Sequence, residues 1–288
     1  MSAEISFGAR LTGAFTRHGR LCVGIDPHAF LLEAWGLPVS AAGVREFGLR
    51  VIDAAAGNVG IVKPQVAFFE RFGSAGYAAL EAVLAAARTA DLLVIADAKR
   101  GDLGTSVEAY AQAWLTPGSP LEADAMTVSA FQGVGSLSAP MAIAHEAGKG
   151  LFVLAATSNP ESIGIQQGQV TGEFVGTHSV SRVIIDDVIR FNAQYPAEQV
   201  GGVGVVLGAT LDFAAYGIDT STQQKPGLAV LAPGFGHQGA KLADASRIYG
   251  SLLASAIVSE SRSVLSVGPD LLPDAIAKRS RQVQDAIA

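Results

Sequence analysis

Short runs of aliphatic and β-branched residues alternate along the chain with segments whose apolar residues recur at spacings of three and four. The short runs predict buried strands, and the spacing of three and four predicts amphipathic helices. The clearest helical pattern places Val180, Ile184, Val188 and Phe191 on one face. The predicted strands are 21–25, 59–63, 92–97, 125–129, 151–156, 203–207, 228–231 and 256–259.

The predicted strands are apolar throughout, which is typical of a parallel sheet buried on both faces. Two architectures fit this pattern: a closed (β/α)8 barrel and an open doubly wound sheet. The first strand runs into GIDPH and lacks the glycine-rich turn of a dinucleotide-binding unit. Eight strand–helix units in 288 residues favour the barrel. Because no linker divides the chain, we predict an α/β protein in which residues 1–288 form a single (β/α)8 TIM barrel catalytic domain.

Composition and charge exclude several classes of protein. Pure apolar runs stop at about five residues, whereas a membrane span needs about 20, so we expect no membrane partner. The net charge of −6, without a basic run, argues against a nucleic-acid partner. The single cysteine, Cys22, excludes an intramolecular disulfide framework. The single cysteine, together with the absence of a visible signal peptide, predicts a cytoplasmic protein. The five histidines show no metal-ligand spacing, so we expect no metal.

Polar residues follow the predicted strands, at the end of a barrel where active sites lie. The third strand, in the motif DAKRGD, carries the strongest signal. Side chains alternate along a strand, so Asp97 and Lys99 point to the same side, with Cα atoms about 6.6 Å apart. Burying either charge alone is costly, so we expect the two to pair and Lys99 to stay charged. Such a pair can hold a proton donor beside a developing carbanion; the alternative is an ion pair that only fixes strand register.

A glycine-rich segment, PGFGHQG at 233–239, follows the seventh predicted strand. Glycines there allow backbone N–H groups to approach a phosphate, and Arg262 after the eighth strand can bind its oxygens. Barrel enzymes often hold phosphate at this place. The longest weakly patterned stretch, 158–177, predicts a loop over the active face.

The motifs GIDPH, VKPQVAFFE, DAKRGD, TSNP and PGFGHQG, in this order, closely resemble those of the orotidine 5'-phosphate decarboxylase family, in its bacterial branch with the DAKRGD form. The resemblance covers nearly the whole chain, with one motif at each of several strand ends. It implies decarboxylation of orotidine 5'-monophosphate to uridine 5'-monophosphate and CO2, without a cofactor. That reaction is the last step of de novo pyrimidine synthesis.

The resemblance also implies a role for each matching residue. Lys99 would protonate C6 of the pyrimidine, in a charged row with Asp97 and Lys63. Asp102 and Ser106 would reach the site of a partner subunit, which implies a homodimer. The implied substrate-binding residues are Asp26 for the ribose hydroxyls, Ser158 for the pyrimidine amide, and Gln238 and Arg262 for the phosphate.

Two other functions remain open on the residues alone. Related barrels, the keto-sugar-phosphate decarboxylases and hexulose-phosphate synthases, use the same Asp-x-Lys-x-x-Asp frame with a magnesium ion. They place a carboxylate on strand two, where this chain has Lys63. The second alternative is a catalytically inactive nucleotide-binding barrel.

Overall fold

The computed structural model describes residues 5–172, 176–195 and 199–287. Eight parallel strands close into a barrel, and two further strands form an antiparallel pair. The strands are β1 (Leu21–Ile25), β2 (Ile61–Pro64), β3 (Leu93–Arg100), β4 (Ala125–Val128), β5 (Gly150–Ala156), β6 (Gln169–Gly172), β7 (Gly176–Ser179), β8 (Val203–Leu207), β9 (Val230–Pro233) and β10 (Ala256–Glu260). The order around the barrel is β1-β10-β9-β8-β5-β4-β3-β2, and β6 and β7 form the antiparallel pair. The prediction of a (β/α)8 barrel is confirmed.

Helix α1 precedes the first strand, and the other helices follow strands and cover the outside of the barrel. They are α1 (Phe7–His18), α2 (Ala29–Ala34), α3 (Ala41–Ala55), α4 (Ala67–Glu70), α5 (Gly73–Thr89), α6 (Gly104–Leu115), α7 (Ser138–Glu146), α8 (Ile163–Gln166), α9 (Val180–Asn192), α10 (Ala245–Tyr249), α11 (Arg262–Leu265) and α12 (Leu272–Ile287). None of the helices in the described part of the chain has both the length and the apolar character needed to cross a membrane.

The structure differs from the sequence prediction in the segment 158–177. Its described part holds a short helix, α8, and the antiparallel pair β6–β7 in place of the predicted loop, while positions 173–175 lie outside the described residues. The strands of this pair are mostly exposed, and backbone hydrogen bonds join them. Because they bury almost no side chains, they leave no apolar pattern in the sequence.

Apolar side chains fill the amino-terminal end of the barrel. Phe7 and Leu11 of α1 pack into one buried cluster with strand residues that include Ile61, Ile95 and Phe152. The rings of Phe7 and Phe152 meet edge to face, with centroids 6.0 Å apart. Helix α1 therefore closes this end of the barrel interior.

Glycine is required where strands approach closely inside the barrel. A Cβ added at Gly204 would lie 2.5 Å from the carbonyl oxygen of Ala229 and 2.8 Å from the ring of Phe152. We expect Gly204→Ala to lower the free energy of unfolding by about 1–3 kcal/mol, because a backbone oxygen cannot move aside. Gly135→Ala is the matched control, since a Cβ there meets nothing within 4 Å. Equal denaturation midpoints for the two variants would contradict this packing.

Candidate active site

The charged side chains of the candidate site continue the inward faces of the barrel strands. Ile61 and Ile95 belong to the buried cluster at the amino-terminal end. Lys63 and Asp97 stand two residues further along the same strands, and side chains repeat their direction every second residue. The same face that begins apolar therefore becomes charged at the carboxyl end, which explains how these groups come to lie inside the barrel.

The Asp97 carboxylate is the centre of this arrangement and accepts four hydrogen bonds. Lys63 Nζ donates to Oδ2 at 2.8 Å and Lys99 Nζ donates to Oδ1 at 2.6 Å. Gln65 Nε2 donates to Oδ2 at 2.9 Å, and the Thr127 hydroxyl donates to Oδ1 at 2.9 Å. One carboxylate thus holds two ammonium groups. We call Lys63, Asp97 and Lys99 the charged cluster.

Burial within the charged cluster is unequal. The side chains of Lys63 and Asp97 are each 9% exposed, whereas that of Lys99 is 48% exposed. Burial by itself raises the pKa of Asp97, but the charges and hydrogen bonds of Lys63 and Lys99 outweigh it and hold the pKa well below its usual value. Burial likewise lowers the pKa of Lys63, and the carboxylates of Asp97 and Asp26 more than reverse this, so that the pKa is raised. The buried pair stays ionised, and Lys99 is the member accessible from outside.

Lys99 reaches Asp97 from an irregular backbone. Its φ is 47°, in the left-handed region, and the register between β3 and β4 shifts between Ala96 and Arg100. This conformation costs a non-glycine residue about 1–2 kcal/mol. The hydroxyl of Thr127 compensates by accepting the Lys99 N–H at 2.9 Å while it donates to Asp97. The expected contact between Asp97 and Lys99 is therefore present. It depends on a bulge in β3, and not on the regular alternation of side chains that was expected from the sequence.

Gln65 and Thr127 are members of this network that the sequence analysis did not single out. Gln65 stands two residues after Lys63, and Thr127 occupies an inward position of β4. Counting inward positions on every strand, uncharged residues included, would have found both.

A cavity of about 280 Å³ opens above the charged cluster. Seven of the nine predicted site residues line it: Asp26, Lys63, Asp97, Lys99, Ser158, Gln238 and Arg262. Within the described residues, Asp26 Oδ1 and Ser261 Oγ are buried without a hydrogen-bond partner, and both residues line this cavity. Buried polar atoms are nearly always hydrogen-bonded, so these two suit a ligand that offers polar groups.

The predicted phosphate-binding residues come from neighbouring strands. β9 and β10 pair in parallel, so the turn Gly236–Gln238 and the first turn of α11, with Arg262, follow adjacent strand ends. Gly234 in the same segment has a φ of 118°, and a Cβ there would lie 3.1 Å from the Ala209 backbone nitrogen. The cavity wall here thus combines a guanidinium, an amide and a glycine backbone, which are groups that bind anions.

Asp102 and Ser106 do not line the cavity of their own chain. The Asp102 carboxylate accepts the Leu103 N–H at 2.8 Å, and Ser106 is exposed on α6. The expectation that both residues act in a partner subunit stays a prediction, because a single chain does not test it.

The closed parallel barrel, with a charged cluster at the carboxyl ends of its strands, defines the class: a (β/α)8-barrel enzyme. The model of the orotidine 5'-phosphate decarboxylase / HUMPS family matches residues 19–266. The chain belongs to this family, and it is a carboxy-lyase.

Individual relatives agree with this assignment. Proteins named orotidine 5'-phosphate decarboxylase include one from Corynebacterium glutamicum, which is 44% identical over 96% of this chain and 97% of its own length. Another, from Corynebacterium efficiens, is 47% identical over 92% of both chains. A crystal structure from Streptomyces avermitilis has a TM-score of 0.90 at 41% identity, and the match covers 99% of this chain and 97% of that one. The OMP decarboxylase of Leishmania donovani has a TM-score of 0.77 at 26% identity, covering 98% and 99%.

We expect the charged cluster to respond unequally to loss of its members. Asp97→Asn should lower the free energy of unfolding at pH 7 by about 3–5 kcal/mol, because it leaves a buried Lys63 ammonium without its counter-charge. Lys99→Met should change it by less than about 1 kcal/mol, since that side chain is half exposed. Chemical denaturation of both variants measures the difference.

The pH dependence of this stability has a defined sign. The pKa of Asp97 is depressed in the folded chain, so its contribution is complete above the unfolded-state pKa of about 3.9. It is lost as the pH falls through the depressed folded-state pKa. The gap between wild type and Asp97→Asn should therefore close in acid; a gap that widened as the pH fell would contradict the assigned charges.

Proposed function

We propose that this chain decarboxylates orotidine 5'-monophosphate to uridine 5'-monophosphate and CO2. The observation that carries the proposal is the position of Lys99: its Nζ lies 2.6 Å from the Asp97 carboxylate, and the residue lines the cavity. Cleavage of the bond between C6 and the carboxylate leaves an electron pair in an sp2 orbital at C6, with no adjacent group to delocalise it. Fixed charges of the protein must stabilise that pair.

Lys99 supplies both the charge and the proton in this proposal. As CO2 leaves, the ammonium stabilises the developing carbanion and then transfers its proton to C6, and solvent reprotonates the amine. Asp97 holds the ammonium in position, and Lys63 keeps Asp97 ionised. Preorganised groups of this kind lower the barrier because they need not reorient during the reaction.

The remaining cavity residues are proposed to bind the nucleotide. Asp26, whose Oδ1 has no partner among the described residues, accepts hydrogen bonds from the ribose hydroxyls. Ser158, at the exposed rim, contacts the pyrimidine amide. Gln238 and Arg262 bind the phosphate, which is remote from C6. Its binding energy can serve to order the segments around the cavity before the chemical step.

We infer a homodimer in which Asp102 and Ser106 complete the partner's site. Exposed apolar side chains near these residues support this inference. Leu103 and Tyr110 are 61% and 40% exposed, and Phe131, after the neighbouring strand β4, is 80% exposed. Contiguous patches of exposed apolar side chains are typical of surfaces that bind a protein partner. We further propose that residues 1–288 form one catalytic domain that performs the last step of de novo pyrimidine synthesis in the cytoplasm.

Turnover of orotidine 5'-monophosphate tests the proposed reaction. We expect the wild-type protein to produce uridine 5'-monophosphate, and Lys99→Ala to lower kcat by at least about 10³-fold, since it removes the proton donor and its charge. EDTA should leave the wild-type rate unchanged, because the Lys63 ammonium occupies the position at which a metal enzyme would need a carboxylate. Binding of uridine 5'-monophosphate without turnover would favour the inactive barrel, and inhibition by EDTA would favour the metal-dependent alternative.

Mixing two inactive variants tests the shared site. Lys99→Ala and Asp102→Ala each damage every site in a homodimer. A mixed dimer contains one site with both residues intact, so random exchange of subunits should restore about a quarter of wild-type activity. No recovery from two variants that are each inactive, under conditions in which labelled subunits exchange, would mean that Asp102 acts within its own chain.

A further inference from the structure

The cavity wall beside Arg262 contains a buried carboxylate that the proposed reaction does not use. Glu260, the last residue of β10, lines the cavity, and its side chain is 0% exposed. Arg279 of α12 donates to Oε1 through Nε at 2.9 Å and through Nη2 at 2.6 Å. The Ser263 hydroxyl donates to Oε2 at 2.6 Å. A carboxylate of the barrel is thus joined to the carboxy-terminal helix.

Glu260 contacts both segments that carry the proposed phosphate-binding residues. Ser263 directly follows Arg262 in the first turn of α11. Gly236, in the turn that carries Gln238, has a φ of 68°, and a Cβ there would lie 2.9 Å from Glu260 Oε2 and 2.9 Å from Ser263 Cβ. The backbone of that turn therefore packs directly on the Glu260 carboxylate, so its position depends on where the carboxylate is held.

A negative charge at this place is unfavourable for binding an anion unless another group neutralises it. A buried carboxylate without a partner is costly in itself, and it would repel a phosphate on the same wall. The guanidinium of Arg279 contributes the matching positive charge from behind, through two donors on one oxygen. The other oxygen remains available to Ser263.

We propose that Arg279 and Glu260 are positioning residues for the phosphate of the substrate. Arg279 neutralises Glu260 and fixes its direction, and Glu260 holds the Gly236 turn and Ser263 where Gln238 and Arg262 meet the phosphate. Neither residue contacts the reacting atoms. The inference rests on the proposed function, because it requires the phosphate site at Gln238 and Arg262.

The test compares kcat/KM for orotidine 5'-monophosphate with kcat/KM for orotidine, the same nucleoside without phosphate. Arg279→Met removes the charge and keeps most of the side-chain volume. We expect it to lower kcat/KM for the phosphorylated substrate at least tenfold and for orotidine less than twofold. The double variant Glu260→Gln with Arg279→Met should recover only part of the loss, because no unpaired charge remains but the side chain at position 260 is still not fixed in direction.

Arg281→Met is the matched control, because Arg281 is exposed on the same helix. It should leave both values within twofold of wild type. If Arg279→Met does not fold, Arg279→Lys preserves the charge but loses the two-donor contact, and it should show a smaller loss confined to the phosphorylated substrate. An equal loss with both substrates, or no loss, would overturn the positioning role.

Arg262→Ala separates failure of this inference from failure of the proposed function. Wild-type turnover of orotidine 5'-monophosphate, with a loss in Arg262→Ala far larger for this substrate than for orotidine, supports the phosphate site itself. If Arg279→Met then behaves as wild type, the inference alone is wrong. If the wild-type protein does not turn over orotidine 5'-monophosphate, or Arg262→Ala affects both substrates equally, the inference fails together with the function on which it rests.

Discussion

One carboxylate shared by two ammonium groups is the constraint on which the candidate site depends. Asp97 is buried and ionised because Lys63 and Lys99 both bind it, at 2.8 and 2.6 Å. Removing Asp97 leaves the buried Lys63 ammonium without its counter-charge in a medium that solvates it poorly. The left-handed backbone at Lys99 brings the second ammonium to this carboxylate and leaves the Lys99 side chain half exposed. The Thr127 hydroxyl stabilises this arrangement, because it accepts the Lys99 N–H and donates to Asp97.

The barrel supplies this arrangement by dividing its interior into two layers. Toward the amino-terminal end, α1 and apolar strand residues fill the space. Toward the carboxyl end, the same strand faces carry charge around a cavity. The cavity wall that is proposed to bind the phosphate also contains a matched pair of charges. There Arg279 on the last helix neutralises Glu260, so that a carboxylate can lie beside Arg262. Charges are few in this chain, and several of those inside it are matched in pairs across different elements.

Much of the fold was predictable because buried parallel strands leave an uninterrupted apolar signature, and the eight predicted strands are those of the barrel. Polar residues at or just after the carboxyl ends of those strands pointed to seven residues around one cavity. Other features were not predictable, because they do not produce a periodic pattern of apolar residues in the sequence. Examples are the left-handed backbone at Lys99 and the exposed strand pair β6–β7. The contact between Glu260 and Arg279 joins a strand end to the outer helix, and no spacing rule predicts such a pair. The placement of Asp102 and Ser106 depends on a second chain.

The proposed mechanism requires that Lys99, held by Asp97, moves a proton at C6 of the pyrimidine. The most direct measurement is exchange of the C6 hydrogen of uridine 5'-monophosphate in D2O, followed by NMR, because a group that donates a proton to C6 also removes it in the reverse direction. The wild-type protein should catalyse this exchange, and a Lys99→Ala variant that still binds the nucleotide should not. Exchange at the wild-type rate in that variant would contradict the claim.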